Sequence, residues 1–130
     1  MPVLDLYHGA DSAKMLYNVL HRGLTTDALG QLYFAQHQWT NCLVHGTDSD
    51  TRESYVAKVR VNIPDPPIAQ IDRTPRSGNP DALIVTLRPG QLVSCEFLEL
   101  YVRSGSRDDG FHTATIPGPQ IEGYLAGKRA

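Results

Sequence analysis

Cysteine is scarce in this chain, with two in 130 residues, and there is a single tryptophan. Cys42 and Cys95 are too few for a disulfide scaffold, and their separation is not that of a metal-ligand pair. A basic excess is missing as well: 12 Lys+Arg stand against 14 Asp+Glu, a formal net charge of −2. That excludes a protein that holds nucleic acid mainly by releasing counterions. No apolar run approaches the ~20 residues of a membrane-spanning helix. The opening MPVLDLYHGADS has no basic stretch ahead of an apolar one, so no signal peptide is expected. Repeats and low-complexity tracts are absent. With 41% hydrophobic residues the chain can bury a core without a metal or a disulfide. The expectation is one domain spanning residues 1–130, cytoplasmic or delivered into the cytoplasm of a target cell, with no membrane partner.

Several chemistries are excluded by what their motifs require. The histidines are His8, His21, His37, His45 and His112, and no pair has the spacing of a zinc ligand set, so no metal is expected. There is no G-x-S-x-G nucleophile turn, and both cysteines fall inside apparent regular structure. Neither of the glycine-rich phosphate loops occurs.

What is present reads as α+β. Residues 3–8 form a first strand that Gly9 ends, and Asp11 or Ser12 offers an N-cap. Ala13, Leu16, Tyr17 and Leu20 then line one face of a helix that Gly23 closes as a left-handed cap. Residues 30–35 are a short strand, and residues 36–45 read as a weak helix. Residues 48–53 read as a solvated turn. Residues 54–63 alternate, with Tyr55, Ala57, Val59 and Val61 on one side and Lys58, Arg60 and Asn62 on the other, the pattern of a half-buried strand. Pro64 to Pro80 holds five prolines and reads as one long loop. Residues 82–87 and 91–102 are apolar strands, 103–110 a loop, 112–116 a last strand and 119–125 a closing helix.

Candidate chemistry lies among polar residues set in strands. His8 stands directly before Gly9, and Tyr33 sits in the strand behind Gly30. Alone, each is better read as structural, His8 as a surface strand end and Tyr33 as a core aromatic. The chain has four glutamates, Glu53, Glu96, Glu99 and Glu122, and two of them fall in its most apolar strand, QLVSCEFLELYV. A carboxylate there is costly unless it is paired or lines a cleft, so one of the two is a functional candidate. Strict alternation would point them to opposite sides.

Taken in order, Leu6-Tyr7-His8-Gly9, His21-Arg22-Gly23-Leu24, Gly30-Gln-Leu-Tyr33-Phe34-Ala35 and Cys95-Glu96-Phe97-Leu98 resemble the ADP-ribosyltransferases of the diphtheria-toxin and poly(ADP-ribose) polymerase type. Residues 116–124 resemble the closing strand and turn of several bacterial members. The resemblance implies a split, strongly bent β core with two or three short helices and NAD in the cleft between its halves. It implies a His-Tyr-Glu triad of His8, Tyr33 and Glu96. His8 would bind the adenosine ribose, and the Gly9 backbone would hold the nicotinamide amide, with Ala10 beside it. Tyr33 would pack on the nicotinamide ring, with Phe34 next to it among the cofactor-binding residues, and Glu96 would bind the nicotinamide-ribose 2′-hydroxyl. Glu96 is preferred because it precedes the short apolar run Phe97-Leu98; Glu99 is the alternative.

Those residue types suit the reaction. Breaking the nicotinamide–ribose bond develops positive charge on the ribose, which a fixed carboxylate in a cleft stabilises. A flat cationic ring is naturally walled by an aromatic. The resemblance departs at Ala10, where many relatives carry a hydroxyl. It also leaves the second nicotinamide-stacking aromatic open among Phe34, Trp39 and Tyr17. The implied activity is mono-ADP-ribosyl transfer from NAD to a macromolecular acceptor, in a toxin or effector setting with an antitoxin or immunity protein as partner. A catalytically silent NAD or ADP-ribose binding module is one alternative. An NAD-dependent RNA 2′-phosphotransferase is the other, disfavoured by Tyr33 in place of a second histidine and by the lack of basic charge. Arg73 and Arg76 in the Pro-rich loop are candidates for phosphate contacts.

Overall fold

A computed structural model describes residues 3–10, 12–42, 53–63, 70–72, 81–106 and 110–129. Strand β1 (Val3–Ala10) leads into helix α1 (Ala13–Arg22), and β2 (Leu24–Thr25) and β3 (Gln31–Ala35) follow. A 3₁₀ turn (Trp39–Cys42) precedes β4 (Ser54–Asn62), β5 (Gln70–Asp72) and β6 (Ala82–Thr86). The chain ends with β7 (Leu92–Val93), β8 (Cys95–Ser106), β9 (Gly110–Pro117) and α2 (Gly118–Arg129). Seven strands form one sheet in the order β5-β6-β3-β1-β4-β8-β9, and β2 pairs with β7 separately. Every pairing is antiparallel, so the class is mixed α+β, mostly an antiparallel sheet with two helices.

Alternation along the strands sends one face to a large core. Leu6, Ala57, Val59, Phe97 and Leu100 pack there with Leu16 of α1 and with Ile121 and Leu125 of α2. Each of the larger side chains withdrawn from water contributes about 1.5–3 kcal/mol, which is what holds the helices on the sheet. Helix α1 starts because the Ser12 side chain accepts from the Met15 amide at 3.1 Å, satisfying one of the orphan donors. His21 and Arg22 in its last turn complement the negative end of its dipole. The alternation expected in β4 is present, but residues 54–57 are buried on both faces.

Several expectations need correction. Strand β1 does not stop at Gly9: Gly9 and Ala10 still pair with Val56 and Tyr55. Gly23 ends α1, as expected, but at φ 100 and ψ 178, outside the left-handed helical region, because the backbone turns at once into β2. Between residues 36 and 42 there is no α-helix, only the 3₁₀ turn at Trp39–Cys42, where Thr40 and Asn41 are poor helix formers and the Cys42 thiol is tied to the Tyr7 carbonyl. The Pro-rich loop contains strand β5, whose β-branched Ile71 half-buries itself on β6 at the sheet's edge, between the prolines. The strand expected over 91–102 is two: Leu92–Val93 joins β2, and the chain changes sheet at Ser94. The loop expected over 103–110 is largely a hairpin of β8 and β9, in register from Arg103↔Thr113 to Ser106↔Gly110. The closing helix runs to Arg129. His45, Arg73, Arg76 and the turn at 48–52 lie outside the described residues.

Candidate functional site

The pairing of β1 changes abruptly from one side to the other. Against β4 it is paired along its whole length, Val3↔Asn62 to Ala10↔Tyr55. Against β3 a single pair, Tyr7↔Ala35, joins them. Pairing along the β1–β3 seam is therefore confined to one residue pair within a continuous sheet, and the segments around His8 and Tyr33 meet there. The His8 Nδ1 lies 3.1 Å from the Tyr33 carbonyl, and its ring sits 5.6 Å from that of Phe34.

The two faces of the seam differ in chemistry. His8 shares the core-side face with Leu6 and Ala10, and Phe34 is buried there. The other face carries Tyr7 and Gly9 of β1, and Ala35, in register with Tyr7, puts Tyr33 on that side too. Tyr33 is 48% exposed, and its hydroxyl donates to the Gln31 side-chain carbonyl. On this face the register continues as Tyr7↔Lys58↔Glu99, then Asp5↔Arg60↔Glu96. Glu96 and Glu99 are thus on the same face, although three residues apart. A β-bulge at Leu98, opposite the step from Lys58 to Val59, adds the residue that brings them into phase.

Glu99 has the more elaborate surroundings. The Tyr101 hydroxyl donates to its carboxylate at 2.5 Å, fixing its orientation. Burial, then the Glu99 hydrogen bond and charge, push the Tyr101 phenol well above its ordinary value, so it stays a donor. Tyr101 touches Tyr7 with ring centroids 6.1 Å apart, and Trp39 stacks on it at 5.2 Å and 7° between planes. The Lys58 ammonium lies 6.0 Å from the Tyr7 ring centre. Gly9 is in register, through Val56, with Tyr101, so Glu99 is two residues from the Gly9 row and Glu96 five. Glu96 is exposed, beside an Arg60 whose guanidinium grips Asp5 at 2.9 Å. That contact lowers the Asp5 carboxyl below its ordinary value.

Of the expected triad, His8 and Tyr33 meet through a backbone carbonyl, and Glu96 is on Tyr33's face with two strands between them. Ala10 and Phe34 are core residues at 2% and 5% exposure, and of the open stacking candidates Trp39 is the one stacked on Tyr101, the tyrosine that donates to Glu99. Sequence reasoning missed Tyr7, Lys58, Tyr101 and Asp81. The tyrosines flanking His8 and Glu99 were a readable signal; the bulge that gathers them with both glutamates was not. Among the described residues no group of three His, Cys, Asp or Glu side chains is set to hold a metal ion.

Comparison with protein-family models, with curated proteins and with solved structures found no match.

Proposed function

We propose that this chain is a mono-ADP-ribosyltransferase that breaks the nicotinamide–ribose bond of NAD and passes ADP-ribose to an acceptor. The observation that carries the reading is the short β1–β3 seam, paired only at Tyr7↔Ala35. His8-Gly9 and Tyr33-Phe34 flank it, and an aromatic-walled carboxylate stands two strands away. A flat cationic ring and a ribose that becomes positive suit this set of groups: aromatic faces for the ring, a fixed carboxylate for the ribose.

The resemblance assigned the carboxylate to Glu96. Glu99 has the better geometric support, because the Tyr101 hydroxyl orients it and it lies nearer the Gly9 row. We therefore take Glu99 as the group that stabilises the developing oxocarbenium, with Glu96 as the alternative. Preorganisation matters because a carboxylate already held by a hydrogen bond does not reorganise as charge forms. As the C–N bond breaks, its electron pair leaves with neutral nicotinamide, and the acceptor nucleophile bonds the anomeric carbon and loses its proton. The Gly9 backbone serves the carboxamide, and Tyr33 bounds the ring on the exposed side. The resemblance gives the adenosine ribose to His8, but its side chain is on the opposite face of β1, and we assign it no contact at the Glu99 face.

The test is nicotinamide release from NAD by the purified chain, run beside thermal unfolding with and without NAD. Release supports the reading. Protection without release leaves a binding module, and neither release nor protection overturns the assignment altogether.

A further inference from the structure

Trp39 is the last residue one would expect to be well placed, since it sits on a single 3₁₀ turn between a polar segment and residues 43–50. The turn is nevertheless pinned on both sides. At its end the Cys42 thiol donates to the Tyr7 carbonyl at 3.3 Å, and Cys42 packs with Ala35 and Val56. At its beginning the Asp81 carboxylate accepts from the His37 amide at 2.9 Å through Oδ1 and from the Gln38 amide at 3.0 Å through Oδ2. The Asp81 carbonyl accepts from the Gln36 amide at 2.9 Å, and the Gln36 side-chain amide donates to the Ala82 carbonyl at 3.2 Å. Asp81 itself is only 8% exposed, the one charged side chain buried among the described residues.

We propose that Asp81 is a positioning residue for the Glu99 site. Its carboxylate ties the segment before Trp39 to the start of β6, and so holds the indole flat on Tyr101, the residue that orients Glu99. A carboxylate suits this better than any neutral group. Both of its oxygens accept, each satisfies a backbone donor of residues 37–38, and charge-assisted bonds of this kind are about twice as strong as neutral ones. An asparagine of the same shape can accept with one oxygen only and would set its own N–H₂ against the second amide. The chain of contacts runs Asp81, residues 37–38, Trp39, Tyr101, Glu99, from β6 on one side of the seam to β8 on the other. The catalytic consequence rests on the function proposed above; the positioning itself does not.

One tryptophan in the chain makes the test direct, because its emission reports residue 39 alone. In the unmodified protein the His37 and Gln38 amides are expected to be protected from hydrogen exchange. Asp81→Asn and Asp81→Ala should shift Trp39 emission to the red and raise its quenching by acrylamide, with far-UV circular dichroism retained. With NAD, Asp81→Asn should raise KM roughly tenfold while kcat falls less, the split expected when binding geometry is lost and the reacting groups remain. Unprotected His37 and Gln38 amides, or Trp39 emission unchanged in both folded variants, overturn the proposal. If neither variant folds, the exchange measurement on the unmodified protein decides. A Trp39 shift in Asp81→Asn, with no nicotinamide release by the unmodified chain, upholds the positioning and overturns the proposed function.

Discussion

Tyr101 and Glu99 show how a single hydrogen bond fixes a side chain's orientation. A carboxylate on a strand face is ordinarily solvated; here a neighbouring phenol, itself kept protonated, presents its proton to it. Tyr101→Phe should therefore leave the fold intact and slow nicotinamide release about tenfold, an outcome that parallel thermal and kinetic measurements would check. The thiols make a separate prediction. Burial raises Cys42 and Cys95 from 9.0 to about 11 each. Between those values the unfolded chain has lost its thiol protons and the folded one has not. Stability should be unaffected below pH 9 and fall as pH rises toward 11. The double variant Cys42→Ala, Cys95→Ala should flatten that fall, visible as a smaller pH dependence of the urea midpoint. At this scale the candidate site was partly legible. His8, Tyr33 and a carboxylate of β8 could be named from the sequence, whereas which glutamate sits better depends on a bulge that no side-chain pattern announces.

At the scale of elements, glycines decide where strands may turn. Gly30 and Gly90 both have positive φ, 77 and 70. Alanine in that conformation costs about 1–2 kcal/mol at either place. A Cβ on Gly30 would also lie 2.3 Å from the Leu87 carbonyl oxygen, whereas one on Gly90 meets nothing within 4 Å. Gly30→Ala should thus be clearly more destabilising than Gly90→Ala in denaturant melts, and equal effects would contradict the packing described at the β3–β6 junction. The strands themselves were legible wherever alternation or an apolar run persists, as in β1, β4 and β6. The failures share one cause. Strand β5, the break at Ser94 and the turn at residues 36–42 are each fixed by a partner distant in sequence: β6, β2 and Asp81 respectively. Local propensity does not register such partners.

For the whole molecule, the helices close one face of the sheet and leave the other to the aromatic residues and carboxylates. Ile121 and Leu125 are fully buried one helical turn apart, so α2 is part of the core. Leu125→Ala should cost about 2–5 kcal/mol in chemical denaturation, a large share of a domain's usual margin. The α+β class and one-sided burial could be read from periodicity. The strand order, and the confinement of β1–β3 pairing to one residue pair, arise from long-range register, which no local pattern in the sequence carries. The proposed activity puts NAD cleavage at the Glu99 carboxylate, two strands from the β1–β3 seam. Its most direct test is nicotinamide release by the unmodified chain, Glu99→Gln and Glu96→Gln, compared at saturating NAD. We expect release by the unmodified chain, a loss on the order of a hundredfold or more in Glu99→Gln, and near-unchanged release in Glu96→Gln. Loss in Glu96→Gln alone would move the chemistry to the other carboxylate, and release by none of the three would contradict the claim.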